Sequence, residues 1–241
     1  YSAAQEFETC RRRRYWSKYG SWGGWDYRAP RETQAAWRLG KMDSLPTLMG
    51  RVVEDAVMWL LREHQQGRDH DAREAYEDFA RERLNAAWKE SRDGAWREDP
   101  KKHTCLHEHY YRTLTKEQER ERASEIAEQV KRCIGNFLER TLPRLAEVSL
   151  LDEVLVDAGG ERGKDVEHFE IEDVKIYAIP DYVYRTGEAL HIIDWKAGRP
   201  RKGHRDQLGV YALWAMARRG AQPEQLVLSA EYLNEGAVLL E

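Results

Sequence analysis

Residues 174–198, VKIYAIPDYVYRTGEALHIIDWKAG, decide the fold class, because their apolar residues follow the two-residue period of β-strands. The pattern predicts strands over 174–184 and 189–195, with a hairpin turn at Arg185-Thr186-Gly187-Glu188. Further strands are predicted at 148–156, 166–171 and about 226–233. A helix at 205–219, stopped by Gly220, follows a loop that begins at Gly198.

The preceding residues have a helical period. In 44–147, Ser44 can cap a helix and Pro46 suits its first turn, and an apolar stripe follows at Met49, Val52, Val53, Val57, Leu60 and Leu61. Further helical stretches are predicted at 71–93 and 115–140. We therefore expect a single α/β (α+β) domain comprising a basic and aromatic segment (1–43), a helical lobe (44–147), and a sheet with its following helix (148–241).

Composition bounds the function. The 241 residues can bury one substantial core, and a net charge of −4 excludes a chain that is basic as a whole, so nucleic-acid contacts need local patches or a metal ion. The three cysteines form no CxxC pair, which argues against a disulfide framework or a zinc site and favours a cytoplasmic location. We expect no membrane segment.

Two acidic residues carry the chemical signal. Asp181 lies thirteen residues before Asp194, and Asp194 and Lys196 project to the same side of one predicted strand. Carboxylates converging from neighbouring strands suit Mg²⁺ or Mn²⁺, and a nearby lysine can orient an attacking water. An isolated D-x-K is more often a solvated salt bridge, and the chain has two others, at 99–101 and 173–175.

Residues on either side of this stretch favour a metal site over a solvated salt bridge. Gln207 and Tyr211 share one helix face, four residues apart, and Glu54 interrupts an apolar helical stripe. The alternatives are an ordinary amphipathic helix with Tyr211 in the core, and a Glu54 that pairs with a nearby arginine such as Arg51.

Taken in order, these segments resemble the RecB-like branch of the PD-(D/E)XK nuclease superfamily over most of the chain. Residues 1–15, with Cys10 and its following arginines, resemble the opening segment, and 45–54 resemble the first motif, where Glu54 stands in place of the usual histidine. Residues 179–181, 193–198 and 207–211 resemble the second, third and fourth motifs.

The resemblance implies a restriction-endonuclease-like core, with a mixed central sheet flanked by helices, that hydrolyses DNA with Mg²⁺ or Mn²⁺. Asp181 and Asp194 would hold the metal with help from Glu54 and the Trp195 carbonyl. Lys196 would serve the attacking water, supported by Gln207 and Tyr211.

We expect an exonuclease on single-stranded or end-processed DNA in repair, recombination or defence, working alone or with a helicase or CRISPR partner. An endonuclease on the same fold and a catalytically silent DNA-binding subunit remain alternatives.

The resemblance departs from the iron–sulfur members of the branch. These pair the early cysteine with three near the C-terminus, whereas no cysteine follows Cys133. We therefore expect no iron–sulfur cluster, and a buried packing role for Cys10.

Two basic patches are candidate DNA contacts. The first lies between the third and fourth motifs, and its phosphate-binding candidates are Arg199, Arg201, Lys202 and Arg205; the alternative is a solvated loop. The second combines Arg12, Arg13 and Trp16 with further N-terminal aromatic residues. It is equally compatible with a stacking platform for unpaired bases and with the packing of a small lobe.

Overall fold

The computed structural model describes residues 2–146, 154–157 and 168–240. The chain divides into two compact units: the first contains Tyr1–Leu48 and Glu82–Ser124, and the second contains Met49–Arg81 and Glu125–Glu241. Residues 49–81 and 125–146 of the predicted helical lobe therefore belong to the same unit as the sheet. Among the described residues, no helix combines the length and apolar character that crossing a bilayer requires.

Helices account for most of the described residues before the sheet, as the helical spacing of the apolar residues there predicts. The helices are α1 (Ser2–Thr9), α2 (Arg11–Tyr15), α3 (Arg31–Leu39), α4 (Leu45–Gln65), α5 (Ala72–Ala75), α6 (Arg81–Asp93), α7 (His107–Tyr110), α8 (Lys116–Asn136), α9 (Leu142–Ala146) and α10 (Lys202–Arg219). Single π-helical turns, Tyr76–Ala80 and Phe137–Thr141, join α5 to α6 and α8 to α9.

The long helix α4 confirms its predicted start and apolar stripe. The Ser44 hydroxyl accepts a hydrogen bond from the Thr47 N–H at 3.3 Å, which satisfies one of the unpaired donors of the first turn. The stripe residues are all at most 5% exposed: Met49, Val52, Val53, Val57, Leu60 and Leu61.

The prediction for Cys10 is wrong. Cys10 is exposed, and its Sγ accepts a hydrogen bond from the Arg13 N–H at 3.4 Å as the N-cap of α2. The thiol therefore serves an unpaired backbone donor at a helix start and does not fill a core.

The second unit contains a mixed sheet. Its strands are ordered β1 (Val154–Asp157), β4 (Tyr182–Thr186), β5 (Ala189–Lys196), β6 (Leu226–Tyr232) and β7 (Ala237–Leu240), and a separate hairpin pairs β2 (His168–Ile171) with β3 (Val174–Tyr177). β5 and β6 run parallel and the other neighbours run antiparallel. The predicted turn between β4 and β5 is confirmed, with Gly187 at a φ of 57°.

Some predicted boundaries are wrong. The predicted strand 174–184 is two strands in different sheets, interrupted by 178–181, because Pro180 has no N–H to donate to a ladder. The helix α10 begins three residues earlier than predicted, and β7 was not predicted. The predicted strand residues 148–153 and 166–167 lie outside the described residues.

Each face of the sheet is covered by helix. On one face, α10 packs Leu208, Trp214 and Ala215 into a core with Leu190 and Ile192 of β5. On the other, the ring of Phe137 meets that of Trp195 edge to face, with the centroids 5.8 Å apart. Gly220 ends α10 at a φ of 65°, as predicted.

Candidate active site

The end of β5 carries the two residues of the D-x-K pattern on one side of the sheet. Asp194 is 2% exposed, whereas the Lys196 side chain is 20% exposed. The Lys196 ammonium contacts Asp194 Oδ2. The carboxylate is therefore buried, while the lysine beside it still reaches solvent.

Two residues of α10 hold Asp194 from the facing helix. Gln207 Nε2 donates to Asp194 Oδ1 at 3.2 Å, and the Tyr211 hydroxyl lies 3.0 Å from the same oxygen. Gln207 also accepts a hydrogen bond from Lys196 Nζ at 3.0 Å and donates to Tyr211 at 2.6 Å. The four side chains thus form one connected network. Tyr211 is both a core residue and a hydrogen-bond partner of the Asp194 carboxylate.

Asp181 lies in the bend before β4 and contacts the backbone of β5, the strand that carries Asp194 and Lys196. Its Oδ2 accepts the Trp195 N–H at 2.7 Å. Because a strand residue directs its N–H and C=O to the same side, the Trp195 carbonyl also faces the Asp181 side. The Trp195 ring packs near Tyr182, with the centroids 5.7 Å apart.

The carboxyl group of Asp181 has a raised pKa. Removal from bulk water raises its pKa well above the usual value, and the negative charges of Asp194 and Glu54 raise it further. The Trp195 N–H and the Lys196 ammonium oppose this shift. Burial, and then the charge of Asp194, likewise raises the pKa of Tyr211, which keeps its hydroxyl protonated as a donor.

The oxygen donors suit a hard divalent cation. Within 2–146, 154–157 and 168–240, no three His, Cys, Asp or Glu side chains stand close enough to hold a metal by themselves. Mg²⁺, however, commonly uses one or two carboxylates and completes its shell with water and substrate phosphate. Asp194 is only 2% exposed, and Asp181 lies near the negative charges of Asp194 and Glu54, so a cation would compensate buried negative charge at both carboxylates.

Three of the four predicted phosphate-binding residues line one cavity of about 440 Å³, namely Arg201, Lys202 and Arg205. Arg201 is the N-cap of α10, where the helix presents unpaired N–H groups. Arg199 is not among the lining residues; its side chain is 88% exposed and lies 4.0 Å from Glu235.

Tyr232 links this cavity to the acidic site, because it lines the cavity and pairs with Lys196 in the parallel register. Its hydroxyl lies 2.9 Å from Nδ1 of His204, a residue that sequence reasoning did not select. Burial lowers the pKa of His204, and the charge of Lys196 lowers it further, which places His204 near the site. The signal was present in the sequence, since His204 lies three residues before Gln207 and seven before Tyr211, on one helix face.

The remaining predicted DNA contacts belong to the first unit. Arg12 and Arg13 lie on α2, where Arg13 Nε pairs with Glu6 at 3.3 Å. Trp16 is half-buried and meets Tyr15 edge to face, with the centroids 5.6 Å apart.

Comparison with known proteins supports the superfamily that the sequence resembles, without distinguishing its RecB-like branch. A family model described as the PD-(D/E)XK nuclease superfamily matches residues 1–238, a range that contains every residue of the site. The mixed sheet with its flanking helices is consistent with that fold. No curated protein matches the chain.

Proposed function

Because the chain belongs to the PD-(D/E)XK nuclease superfamily, we propose that it is a deoxyribonuclease that uses Mg²⁺ or Mn²⁺. Asp181 and Asp194 would hold the cation, with the Trp195 carbonyl as a further oxygen donor; Glu54, whose charge acts on Asp181, would have to move closer to become a third carboxylate ligand. A cation in this position would lower the pKa of a water molecule and stabilise negative charge on the scissile phosphate.

One observation carries the proposal: Asp194, Lys196, Gln207 and Tyr211 form a single hydrogen-bonded network beside Asp181. A solvated salt bridge does not require a carboxylate that is 2% exposed and held from a second element. Holding reacting groups in a fixed orientation is a large part of the catalytic effect of an active site.

The side chains divide the remaining work. Lys196 would orient the attacking water and screen the charge that develops on the phosphate. Gln207 fixes the lysine through its amide oxygen, and Tyr211 fixes Asp194 through its hydroxyl. The cavity lined by Arg201, Lys202 and Arg205 would take a neighbouring phosphate of the DNA backbone.

The direct test is cleavage of linear DNA with Mg²⁺ or Mn²⁺ by purified variants. We expect Asp181→Ala, Asp194→Ala and Lys196→Ala each to lower the cleavage rate by about a hundredfold or more, with the fold intact by circular dichroism. Asp206→Asn is the matched control, because it removes an exposed acid of α10 next to Gln207.

Two results would count against the proposal. Wild-type cleavage rates in all three variants would mean that the centre lies elsewhere. A wild-type protein that binds DNA but does not cut it with either metal would favour a catalytically silent DNA-binding subunit.

We further propose, from the resemblance to RecB-like nucleases, that the enzyme is an exonuclease on single-stranded DNA in repair, recombination or defence. Linear and circular single strands offered at equal nucleotide concentration with Mn²⁺ separate this from an endonuclease. We expect linear strands to be degraded and circles to be spared. Circles nicked as fast as linear strands are consumed would favour the endonuclease.

A further inference from the structure

Residues 10–41 differ in charge from the rest of the chain. They contain nine arginines and lysines against two acidic residues, a formal charge of +7, whereas the whole chain has a net charge of −4. The same 32 residues contain four of the nine tryptophans. Basic charge and aromatic rings are therefore concentrated in one segment of the first unit.

The rings of this segment lie largely on the surface. Trp22 is 74% exposed, and more than half of each of four other aromatic residues is exposed: Tyr15, Tyr19, Trp25 and Tyr27. If these residues served to pack a small lobe, they would be buried. Large exposed aromatic clusters on a folded unit mark binding surfaces.

The loop that presents Trp22 and Trp25 is held close to α3. Gly24 is buried, and a Cβ placed there would lie 2.4 Å from the Trp37 Cβ and 2.5 Å from the Thr33 carbonyl oxygen. Only glycine permits this approach. The two tryptophan rings meet edge to face at a centroid distance of 5.3 Å, so they are presented together.

Cations lie among these rings. The Arg28 guanidinium is 5.1 Å from the centroid of the Tyr27 ring, and the Lys101 ammonium is 5.6 Å from that of Trp25. Interfaces between proteins are depleted of lysine and other charged residues at their centres. Exposed rings interleaved with positive charge instead match a chain of flat bases joined by phosphates.

We propose that this aromatic patch, centred on Trp22 and Trp25, binds single-stranded nucleic acid by base stacking, with Arg28, Lys101 and the arginines of α2 meeting the phosphates. Paired bases already stack on one another within a duplex, so their faces are not available to these rings. The patch shares no residue with the candidate active site, and binding there needs neither metal nor cleavage.

The test is fluorescence anisotropy of a labelled oligothymidine strand, titrated with the full chain in EDTA. We expect Trp22→Ala and Trp25→Ala each to weaken binding by about fivefold or more, as expected for the loss of one stacked base. Trp22→Tyr keeps a ring and should retain most of the affinity. Tyr111→Ala is the matched control, an exposed tyrosine of the same unit, and should bind as the wild type does.

Repeating the titration with Asp194→Ala, in which the patch is intact, separates binding at the patch from catalysis. Circular dichroism of each variant checks that the fold is retained. Equal affinity of the wild type, Trp22→Ala and Trp25→Ala would overturn the proposal and leave a protein-binding surface as the alternative. Tighter binding of a duplex than of the single strand would overturn it as well.

Discussion

The substitution Asp181→Asn is expected to stabilise the metal-free protein and to abolish its stabilisation by metal. Burial and the charges of Asp194 and Glu54 raise the pKa of Asp181, so its ionised form opposes folding. A group whose pKa is raised in the folded state contributes fully to the stability of that state below the ordinary aspartate pKa of about 4. This contribution to stability is lost as the pH rises through the raised value. Asparagine does not ionise and avoids this loss, so the stability of the variant relative to the wild type should increase with pH.

Metal binding should stabilise the wild type and not the Asp181→Asn variant. At a Mn²⁺ concentration a hundred times the Kd, a ligand that binds only the folded state stabilises it by about 2.7 kcal/mol. For a domain of this size, about 2–4 °C of Tm corresponds to each kcal/mol, so the wild-type Tm should rise by about 5–11 °C. Asp181→Asn should show little or no rise, because an amide is a poorer ligand than a carboxylate.

The assay is thermal unfolding in EDTA and in Mn²⁺, at pH 5 and pH 8. Asp206→Asn, which removes one exposed negative charge from α10, should follow the wild type throughout. The reasoning is refuted if Asp181→Asn unfolds at a lower temperature than the wild type in EDTA at pH 8, or if it keeps the full rise with Mn²⁺.

Three further predictions concern other parts of the chain. Glu54→Gln should weaken Mn²⁺ binding in a titration more than it changes the stability of the metal-free protein, and an unchanged affinity would assign Glu54 a structural role. Thr141→Val should lower the free energy of unfolding by about 1.5–3 kcal/mol, because the Thr141 hydroxyl donates at 2.6 Å to the buried carboxylate of Glu231; an unaltered denaturation midpoint would contradict this. The purified protein should lack iron, since burial raises the pKa of the Cys105 thiol to about 11 and that of Cys133 to about 12, and neither readily forms a thiolate. Stoichiometric iron with acid-labile sulfide would exclude that interpretation.

Features that depend on neighbouring residues were predictable from the sequence. The stripe of α4, the turn at Gly187 and the end of α10 at Gly220 follow from local periodicity and backbone preference. The shared side of Asp194 and Lys196 follows equally from the alternation of a strand. The break at Pro180 was underestimated, because an apolar alternation continued across it and concealed the change from one sheet to another.

The sequence by itself determined which side chains share a strand side or a helix face, because those relations are set by the repeat of the backbone. Only the tertiary structure decided that Gln207 and Tyr211 meet Asp194, that Glu54 adds its charge to Asp181, and that Trp22 and Trp25 are exposed. Such relations join residues far apart in the chain, and they depend on which faces pack together. Local spacing carries no information about that packing, since burial and charge are properties of all the surrounding atoms.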